Sequence, residues 1–421
     1  IDDCSRVAKA QGHIGMSRTE VHMRCFRATW ISVIGIVVTP SLAIDDCFVN
    51  EEQFRYCCCR NKKSDCWPKE QVREMFKSCC GHLVSQCGAD VQAEDMPYSC
   101  KTTDLDVTQK QTVEAADCNI DAKTVPSLPL LDGGRIPMSG VGLCCRPSAM
   151  GDAVRQGVVD YLLLGGRHLD DAQLYNNHYE VGLGIREALD AGVPREEIFL
   201  TTKIWPSDYG FETTSAWVDN MLAELGVDYV DLVLLHAPGD PSSLGKLKCR
   251  KPKACRQETW LALQRAHADS KIRHLGVSNF GPRQMGELLA LGGSPITVNQ
   301  IEFHPWVPQT HLDTATWCHQ HGIVVTAYGS MGSSGLAQQM MMEEALKQMG
   351  EFHGKTAGQV LLRWAVQKNV TVIPGTSNPK HQAENLRIFD FELSAAQMEA
   401  LDGVPMDQRT LHFGHTPDAK P

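Results

Sequence analysis

The stretch Phe199–His236 reads F-L-T-T-K-I-W-P-S-D-Y-G-F-E-T-T-S-A-W-V-D-N-M-L-A-E-L-G-V-D-Y-V-D-L-V-L-L-H. It contains two short apolar runs, Phe199–Lys203 and Val230–Leu235, and each run predicts a buried strand. The segment between them, Thr213–Leu225, carries apolar residues at helical spacing. A strand, a helix and a second strand in this order predict parallel strands that are joined by a crossover helix.

The same alternation extends over the whole region that follows residue 122. Further helices are predicted at Asp152–Leu164, Tyr179–Ala191, Gln257–Ser270, Pro282–Leu291, Thr310–His321, Glu343–His353 and Thr356–Gln367. Further strands are predicted at His274–Val277, Val298–Glu302, Val324–Tyr328 and Val372–Pro374. About eight such units close into a (β/α)8 TIM barrel, whose active site lies at the carboxyl ends of the strands.

Four chemically active side chains occur at or just after the ends of predicted strands. Lys203 and His236 each close an apolar run, and Asp170 follows the shorter run Arg167–Leu169, with Tyr175 five residues later. A phenol with a pKa near 10 is a poor proton donor at neutral pH unless a cation lowers that pKa. We therefore predict a proton-donating site in which Asp170 holds Lys203 beside Tyr175. Asp171 is the competing candidate for the carboxylate.

The motifs around these residues resemble those of the aldo-keto reductases, from about Val125 to Phe391. They stand in the order and at the intervals that are typical of that family. The strings are R-H-L-D-D-A-Q-L-Y, T-T-K-I-W, D-L-V-L-L-H, G-V-S-N-F (Gly276–Phe280), N-Q-I-E-F-H-P (Asn299–Pro305), V-T-A-Y-G-S (Val325–Ser330), V-I-P-G-T (Val372–Thr376) and E-N-L (Glu384–Leu386). The resemblance implies a barrel over residues 122–421 that reduces an aldehyde or ketone to an alcohol with NADPH, or alternatively NADH.

The resemblance also implies roles for individual residues. Tyr175 is the general acid, Asp170 rather than Asp171 is the carboxylate partner, and His236 orients the carbonyl oxygen. The cofactor-binding residues are Ser278, Asn279, Gln300, Tyr328, Ser330, Ser333, Thr376, His381, Glu384 and Asn385, and the pocket walls are Trp205, Trp306 and Cys144. No metal site is expected, and no G-x-G-x-x-G follows a strand, which argues against a Rossmann domain.

Two departures from the family pattern affect these expectations. After V-I-P the family often has Lys and then Ser, where this chain has Gly375 and Thr376, and the usual Arg falls on His381. Both cations for a 2′-phosphate are thus missing or weakened, since neutral His cannot replace bidentate Arg. Some reductases of this type carry the same G-T…H pattern, so the resemblance still favours NADPH over NADH. The early turn reads G-V-G-L-C-C, so that Cys144 stands where an aromatic wall is common and predicts a wider pocket.

Cysteine is concentrated ahead of the barrel. Of the 17 cysteines in the chain, ten lie between Cys47 and Cys118. A dense set in a short segment predicts a disulfide-linked, partly helical module over residues 44–121. A reduced zinc-binding segment is the alternative. Residues 1–43 resemble a signal-like leader, with an apolar run at Ala28–Val38. Entry into the secretory pathway or a plastid is expected, or a cytoplasmic location if the leader is not used. Cys249 and Cys255 within the barrel are a disulfide or two free thiols.

Composition limits the classes of partner. The net charge is −10 and there is no long basic run, which argues against nucleic acid as a partner. We expect a small carbonyl substrate, no stable membrane span, since the apolar run is too short, and a monomer. The alternative function is a non-catalytic nucleotide-binding barrel that serves as a binding or regulatory subunit beside an extracellular Cys-rich recognition module.

Overall fold

The computed structural model describes residues 124–239, 251–332 and 344–403. The chain divides into two units, Ile1–Tyr98 and Ser99–Pro421, and every described residue belongs to the second. The predicted leader, the Cys-rich module, Ser333 and Cys249 lie outside the described residues.

The described part begins with an antiparallel hairpin, which eight parallel strands follow. The hairpin consists of β1 (Ser127–Pro129) and β2 (Arg135–Pro137). The parallel strands are β3 (Val141–Gly142), β4 (His168–Asp170), β5 (Phe199–Ile204), β6 (Val230–Leu235), β7 (Ile272–Ser278), β8 (Val298–Glu302), β9 (Val324–Tyr328) and β10 (Val370–Val372). Each pairs with the next in chain order, as crossover helices between parallel strands require.

The helices of the described part alternate with these strands. They are α1 (Gly151–Leu163), α2 (His178–Asp190), α3 (Phe211–Leu225), α4 (Pro252–Ala268), α5 (Pro282–Leu289), α6 (Gln309–Gln320), α7 (Glu344–His353), α8 (Ala357–Gln367), α9 (Pro379–Leu386) and α10 (Ala395–Asp402). None of them is long and apolar enough to cross a membrane.

The first and last parallel strands meet and close the barrel. Ser139, just before β3, forms a parallel bridge with Val372 of β10. The amide of Gly140 donates to the carbonyl of Val372 at 2.8 Å, and the amide of Val372 donates to the carbonyl of Met138 at 2.9 Å. The predicted (β/α)8 barrel is therefore confirmed.

The last strand and the last two helices differ from the sequence-based expectation. The predicted strand Val372–Pro374 is wrong in its bounds, because β10 pairs with β9 from Val370 to Val372. Pro374 has no amide hydrogen to contribute to a ladder, and its carbonyl instead accepts from Gly142 at 3.3 Å. The short helices α9 and α10 were not predicted. Side chains at their N-caps, Asn378 and Ser394, accept from backbone amides and so begin them.

Two apolar clusters form the core of the barrel, and the smaller one occupies only its amino end. The larger lies between the strands and the surrounding helices. The smaller fills the amino end of the barrel, where Leu130 and Ile136 of the hairpin pack on Phe199, Val298 and Val324 at the strand starts. The hairpin thus covers the amino end, so that polar strand-end side chains gather at the opposite, carboxyl end.

Candidate active site

Lys203 is the centre of the group of side chains at the carboxyl end. It is fully buried on β5, and its Nζ lies 2.5 Å from Oδ1 of Asp170 at the end of β4. Nζ also donates to the hydroxyl of Tyr175 and to the backbone carbonyl of Asp171, both at 3.0 Å. The other oxygen of Asp170 accepts from Nε2 of Gln300 at 2.7 Å. The carboxylate is thus satisfied on both sides, as a buried charge requires.

A short turn brings Tyr175 back over the strand ends. Ala172 is extended, a single 3₁₀ turn follows over Gln173–Tyr175, and Asn176 ends it in the left-handed region at φ 54°. Asn tolerates this conformation better than most residues. The phenol is half-buried, with the Lys203 ammonium 4.9 Å from its ring centroid. The turn therefore directs the hydroxyl into the barrel mouth.

His236 and Trp205 complete this group with two aromatic edges. The imidazole of His236 is edge-on to the ring of Tyr175, with centroids 5.8 Å apart. It is also edge-on to the indole of Trp205, at 5.0 Å. The backbone amide of Trp205 donates to Oε1 of Gln173 at 2.8 Å, which ties the indole to the turn that carries Tyr175. One wall of the mouth is thus built from three rings.

The electrostatics differ in one respect from the expectation for Tyr175. Burial is the largest influence on Lys203 and opposes its charged form, but the attraction and hydrogen bonds of Asp170 and Tyr175 together prevail, and the pKa of the ammonium is raised. For Tyr175 burial is the largest influence and raises its pKa to about 12, although Lys203 acts to lower it. The expectation that Lys203 lowers the pKa of Tyr175 below its ordinary value is therefore wrong. The tyrosine holds its proton at neutral pH.

The two neighbouring carboxyls, Asp170 and Asp171, lie in different surroundings. Asp171 offers Lys203 only its backbone carbonyl, and neither of its carboxyl oxygens has a hydrogen-bond partner among the described residues. Nε2 of His178 lies 3.7 Å from Oδ2, and the two form an ion pair when the imidazole is protonated. Burial raises the pKa of Asp171 to about 6, while His178 lowers it. The geometry thus gives the Lys203 partnership to Asp170.

Four of the predicted cofactor residues form a connected group beside the tetrad, which consists of the four side chains of Asp170, Tyr175, Lys203 and His236. Ser278 Oγ donates to the Gln300 carbonyl at 2.9 Å, and Asn279 Nδ2 donates to the carbonyl of His236 at 2.9 Å. The hydroxyl of Tyr328 donates to Oδ1 of Asn279 at 2.7 Å. These contacts link the ends of β6, β7, β8 and β9 into one surface.

The remaining predicted site residues are more dispersed. Ser330 is buried and donates to Ala327, while Thr376 and Glu384 are half-buried, Asn385 is buried and His381 is exposed around the start of α9. Cys144 is half-buried beside Cys145, just after β3. Trp306 is only 5% exposed and packs in the larger apolar cluster. No group of His, Cys, Asp or Glu with the geometry of a metal site occurs in the described ranges.

Comparison with known proteins agrees with this architecture. The model of the Aldo/keto reductase family matches residues 149–405, which is more than half of the chain. The chain belongs to the aldo/keto reductase family. It is 36% identical over 292 residues to a glyoxal reductase of Bacillus subtilis, covering 69% of this chain and 96% of that protein. It is 33% identical over 314 residues to the mouse aldo-keto reductase family 1 member A1, covering 70% and 94% of the two chains.

Solved structures of aldo-keto reductases also match this fold. An aldo-keto reductase of Bombyx mori in complex with NADP has a TM-score of 0.62 and 30% identity, over 68% of this chain and 95% of that one. An aldo/keto reductase of Brucella melitensis has a TM-score of 0.58 and 33% identity, over 67% and 100%. The resemblance and the fold expected from the sequence are thus confirmed, and this aldo/keto reductase is an oxidoreductase.

The sequence motifs missed some groups near the site of this aldo/keto reductase. The buried pair of Asp171 and His178 was not expected, because Asp171 was considered only as the competing candidate for the carboxylate beside Lys203. Arg146 was also missed. It lies two residues after the altered turn at Cys144 and folds back towards Gly375, as described below. The only signal in the sequence was a single arginine in a loop, a feature that is not specific.

Proposed function

We propose that this barrel reduces a small aldehyde or ketone to an alcohol with NADPH, with Tyr175 as the proton donor. Membership of the family makes the chain an NADP-dependent oxidoreductase, and relatives named as reductases support carbonyl reduction in general. The observation that carries the role of Tyr175 is its hydroxyl at 3.0 Å from a buried ammonium that Asp170 holds in place.

The residues at the carboxyl end suit a nicotinamide nucleotide. Tyr328 is half-buried at a strand end, and its aromatic face is the kind of surface on which a planar ring stacks. Asn279 and Gln300 provide amide groups beside it. Around the start of α9, Thr376 is half-buried and His381 is exposed, so polar side chains are available there to the adenosine end of the nucleotide. When bound, the reduced nicotinamide supplies a hydride to the carbonyl carbon.

The tetrad is arranged to deliver a proton to the carbonyl oxygen. With a pKa of about 12, Tyr175 carries its proton at neutral pH. An alkoxide is a stronger base than a phenolate, so transfer from Oη to the new alkoxide is downhill. The phenolate that remains then lies 3.0 Å from Lys203, whose raised pKa keeps it cationic. Electrostatic stabilisation of the transition state by a preorganised charge of this kind is the largest single contribution to the rate enhancement of many enzymes.

His236 supports the same step from the other side. Its ring is edge-on to both Tyr175 and Trp205, which hold the imidazole at the barrel mouth. A neutral imidazole in this place can donate to the carbonyl oxygen that Tyr175 protonates. His236 is thus proposed to orient the substrate, with Trp205 as a wall of its pocket.

The test is oxidation of NADPH and of NADH by the purified full chain against a panel of small aldehydes and ketones. We expect turnover with NADPH. Tyr175→Phe should lower turnover by about 10²- to 10⁴-fold while nucleotide binding persists. Tyr229→Phe is the matched control, because Tyr229 precedes β6 at the amino end, where its ring lies under Arg195 and Arg273.

Two results would contradict the proposal. Turnover in Tyr175→Phe like that of the wild type would remove Tyr175 from the role of acid. Tight binding of NADPH with no turnover on any carbonyl would favour the non-catalytic barrel. The buried pair of Lys203 and Asp170 argues against that alternative, because an ion pair that has lost its function is costly to keep buried.

A further inference from the structure

The chain lacks a side chain at position 375, and another residue fills the space it leaves. A Cβ built on Gly375 would lie 2.6 Å from Nη1 of Arg146 and 3.3 Å from the carbonyl oxygen of Gly142. The first distance lies below 3.0 Å, a separation that real Cβ atoms essentially never show. The guanidinium of Arg146 therefore lies in the volume that the first atoms of a lysine at position 375 would enter.

The local backbone explains how Arg146 reaches this place. Cys145 adopts φ 69°, in the left-handed region that few residues other than glycine enter. The chain turns back after it, and Nη1 of Arg146 donates to the carbonyls of Gly142 at 2.9 Å and of Cys144 at 3.1 Å. These two bonds hold the guanidinium beside the end of β3, next to the chain that leaves β10.

The charge of Arg146 is not neutralised by any described residue. Its hydrogen bonds in the described ranges go to neutral carbonyls, no ion pair with a described carboxylate is formed, and Nε is buried without a hydrogen-bond partner among the described residues. Burial lowers the pKa of Arg146 to about 10, and no carboxylate in the described ranges opposes that effect, yet the group stays cationic at neutral pH. A half-buried cation without an anionic partner is an unfavourable arrangement until an anion binds.

We propose that Arg146 supplies the phosphate-binding cation that position 375 lacks, and so positions the nicotinamide nucleotide. The proposal rests on the proposed use of such a nucleotide, and it explains how the chain can dispense with a lysine after V-I-P. Arginine suits a phosphate because its planar fork binds two oxygens at once. The phosphate is either the 2′-phosphate, which only NADPH carries, or the diphosphate, which NADPH and NADH share.

The test measures dissociation constants of the full chain for NADPH and NADH by quenching of tryptophan fluorescence, at two salt concentrations. Arg146→Met should raise the constant for NADPH by about 10- to 150-fold, the range that charge-assisted hydrogen bonds span, and should weaken its salt dependence. An effect on NADPH alone identifies the 2′-phosphate, and an equal effect on both nucleotides identifies the diphosphate.

Two further variants separate a lost cation from a damaged fold. In Arg146→Met with Gly375→Lys, the new lysine enters the space that the arginine has left, and binding should recover most of its loss. Arg265→Met is the matched control, because Arg265 pairs with Asp269 at the end of α4, towards the amino end of the barrel. It should leave both constants unchanged.

The outcomes distinguish this inference from the proposed function. If the wild type binds neither nucleotide, the proposed function and this inference both fail. If the wild type binds NADPH and Arg146→Met binds it equally well, the proposed function stands and Arg146 has no part in it. If Arg146→Met loses binding and the double variant does not recover it, the loss comes from the fold rather than from the charge, and the inference is refuted.

Discussion

Replacing each of two adjacent aspartates by its isostere should change stability in opposite directions. Asp170 is buried against Lys203 and Gln300, which both donate to it. In Asp170→Asn the amide must turn its own NH₂ towards one of these donors, and Lys203 keeps a buried charge without a carboxylate. Breaking a buried pair in this way costs about 3–5 kcal/mol. We expect Asp170→Asn to unfold at much lower urea concentration than the wild type.

Asp171 should behave differently because its carboxylate is buried without a hydrogen-bond partner among the described residues. Its pKa rises from the ordinary 3.8 to about 6 in the folded protein. The folded state therefore holds this proton more tightly than the unfolded chain. The resulting stabilisation is complete below pH 4 and is lost as the pH rises through 6. That shift corresponds to at most about 3 kcal/mol, and loss of the contact with His178 offsets part of it.

The measurement is urea unfolding of the full chain, followed by tryptophan fluorescence, from pH 4.5 to pH 8. The free energy of unfolding of Asp171→Asn, relative to that of the wild type at the same pH, should rise by about 1–2 kcal/mol from pH 4.5 to pH 8. Asp170→Asn should lie below the wild type throughout. If Asp171→Asn loses as much stability as Asp170→Asn at pH 7.5, or if its difference from the wild type does not grow with pH, the account of these two carboxyls is wrong.

The remaining predictions concern the nucleotide and the segment ahead of the barrel. His381→Arg should strengthen binding of NADPH by at most about 1.5–3 kcal/mol and leave NADH unchanged, as measured by fluorescence quenching; an unchanged ratio would refute the placing of the 2′-phosphate at the start of α9. We also propose that the mature chain begins near Ile44 and that Ile44–Cys118 carries disulfides, each worth about 2–4 kcal/mol. N-terminal sequencing from a eukaryotic host and mass spectrometry before and after reduction test this; an intact leader with all thiols free, or bound zinc, would contradict it.

The barrel and the tetrad could be predicted because their positions depend mainly on the order of the strands and on where each strand ends. In a parallel barrel, residues that end neighbouring strands must come together whatever their loops do. Lys203 is the last residue but one of β5, His236 directly follows β6, and Asp170 ends β4, so their proximity followed from the strand pattern alone. The element bounds were good where apolar periodicity was strong, as at Val298–Glu302, and failed at β10, where Pro374 was counted in the strand.

Energetics could not be inferred in the same way. The motif placed a cation beside Tyr175, and the ordinary consequence is a lowered pKa. In the folded protein the phenol is also half-buried, and burial raises its pKa by more than Lys203 lowers it. Burial of a side chain depends on everything packed around it, so no local string of residues contains it. The carboxyl of Asp171, which is buried without a hydrogen-bond partner among the described residues, escaped prediction for the same reason.

Arg146, the proposed phosphate-binding cation, could not be predicted for a third reason. A sequence comparison examines one position at a time. By this comparison the chain has lost a positive charge, because it has Gly375 where the family often has lysine. In the folded chain the relevant quantity is the charge in a volume, and Arg146 enters that volume from the loop that follows β3. Its arrival depends on the single left-handed residue Cys145. A change of Cys145 to a β-branched residue, which disfavours that conformation, should therefore weaken binding of the nucleotide without altering any residue that contacts it.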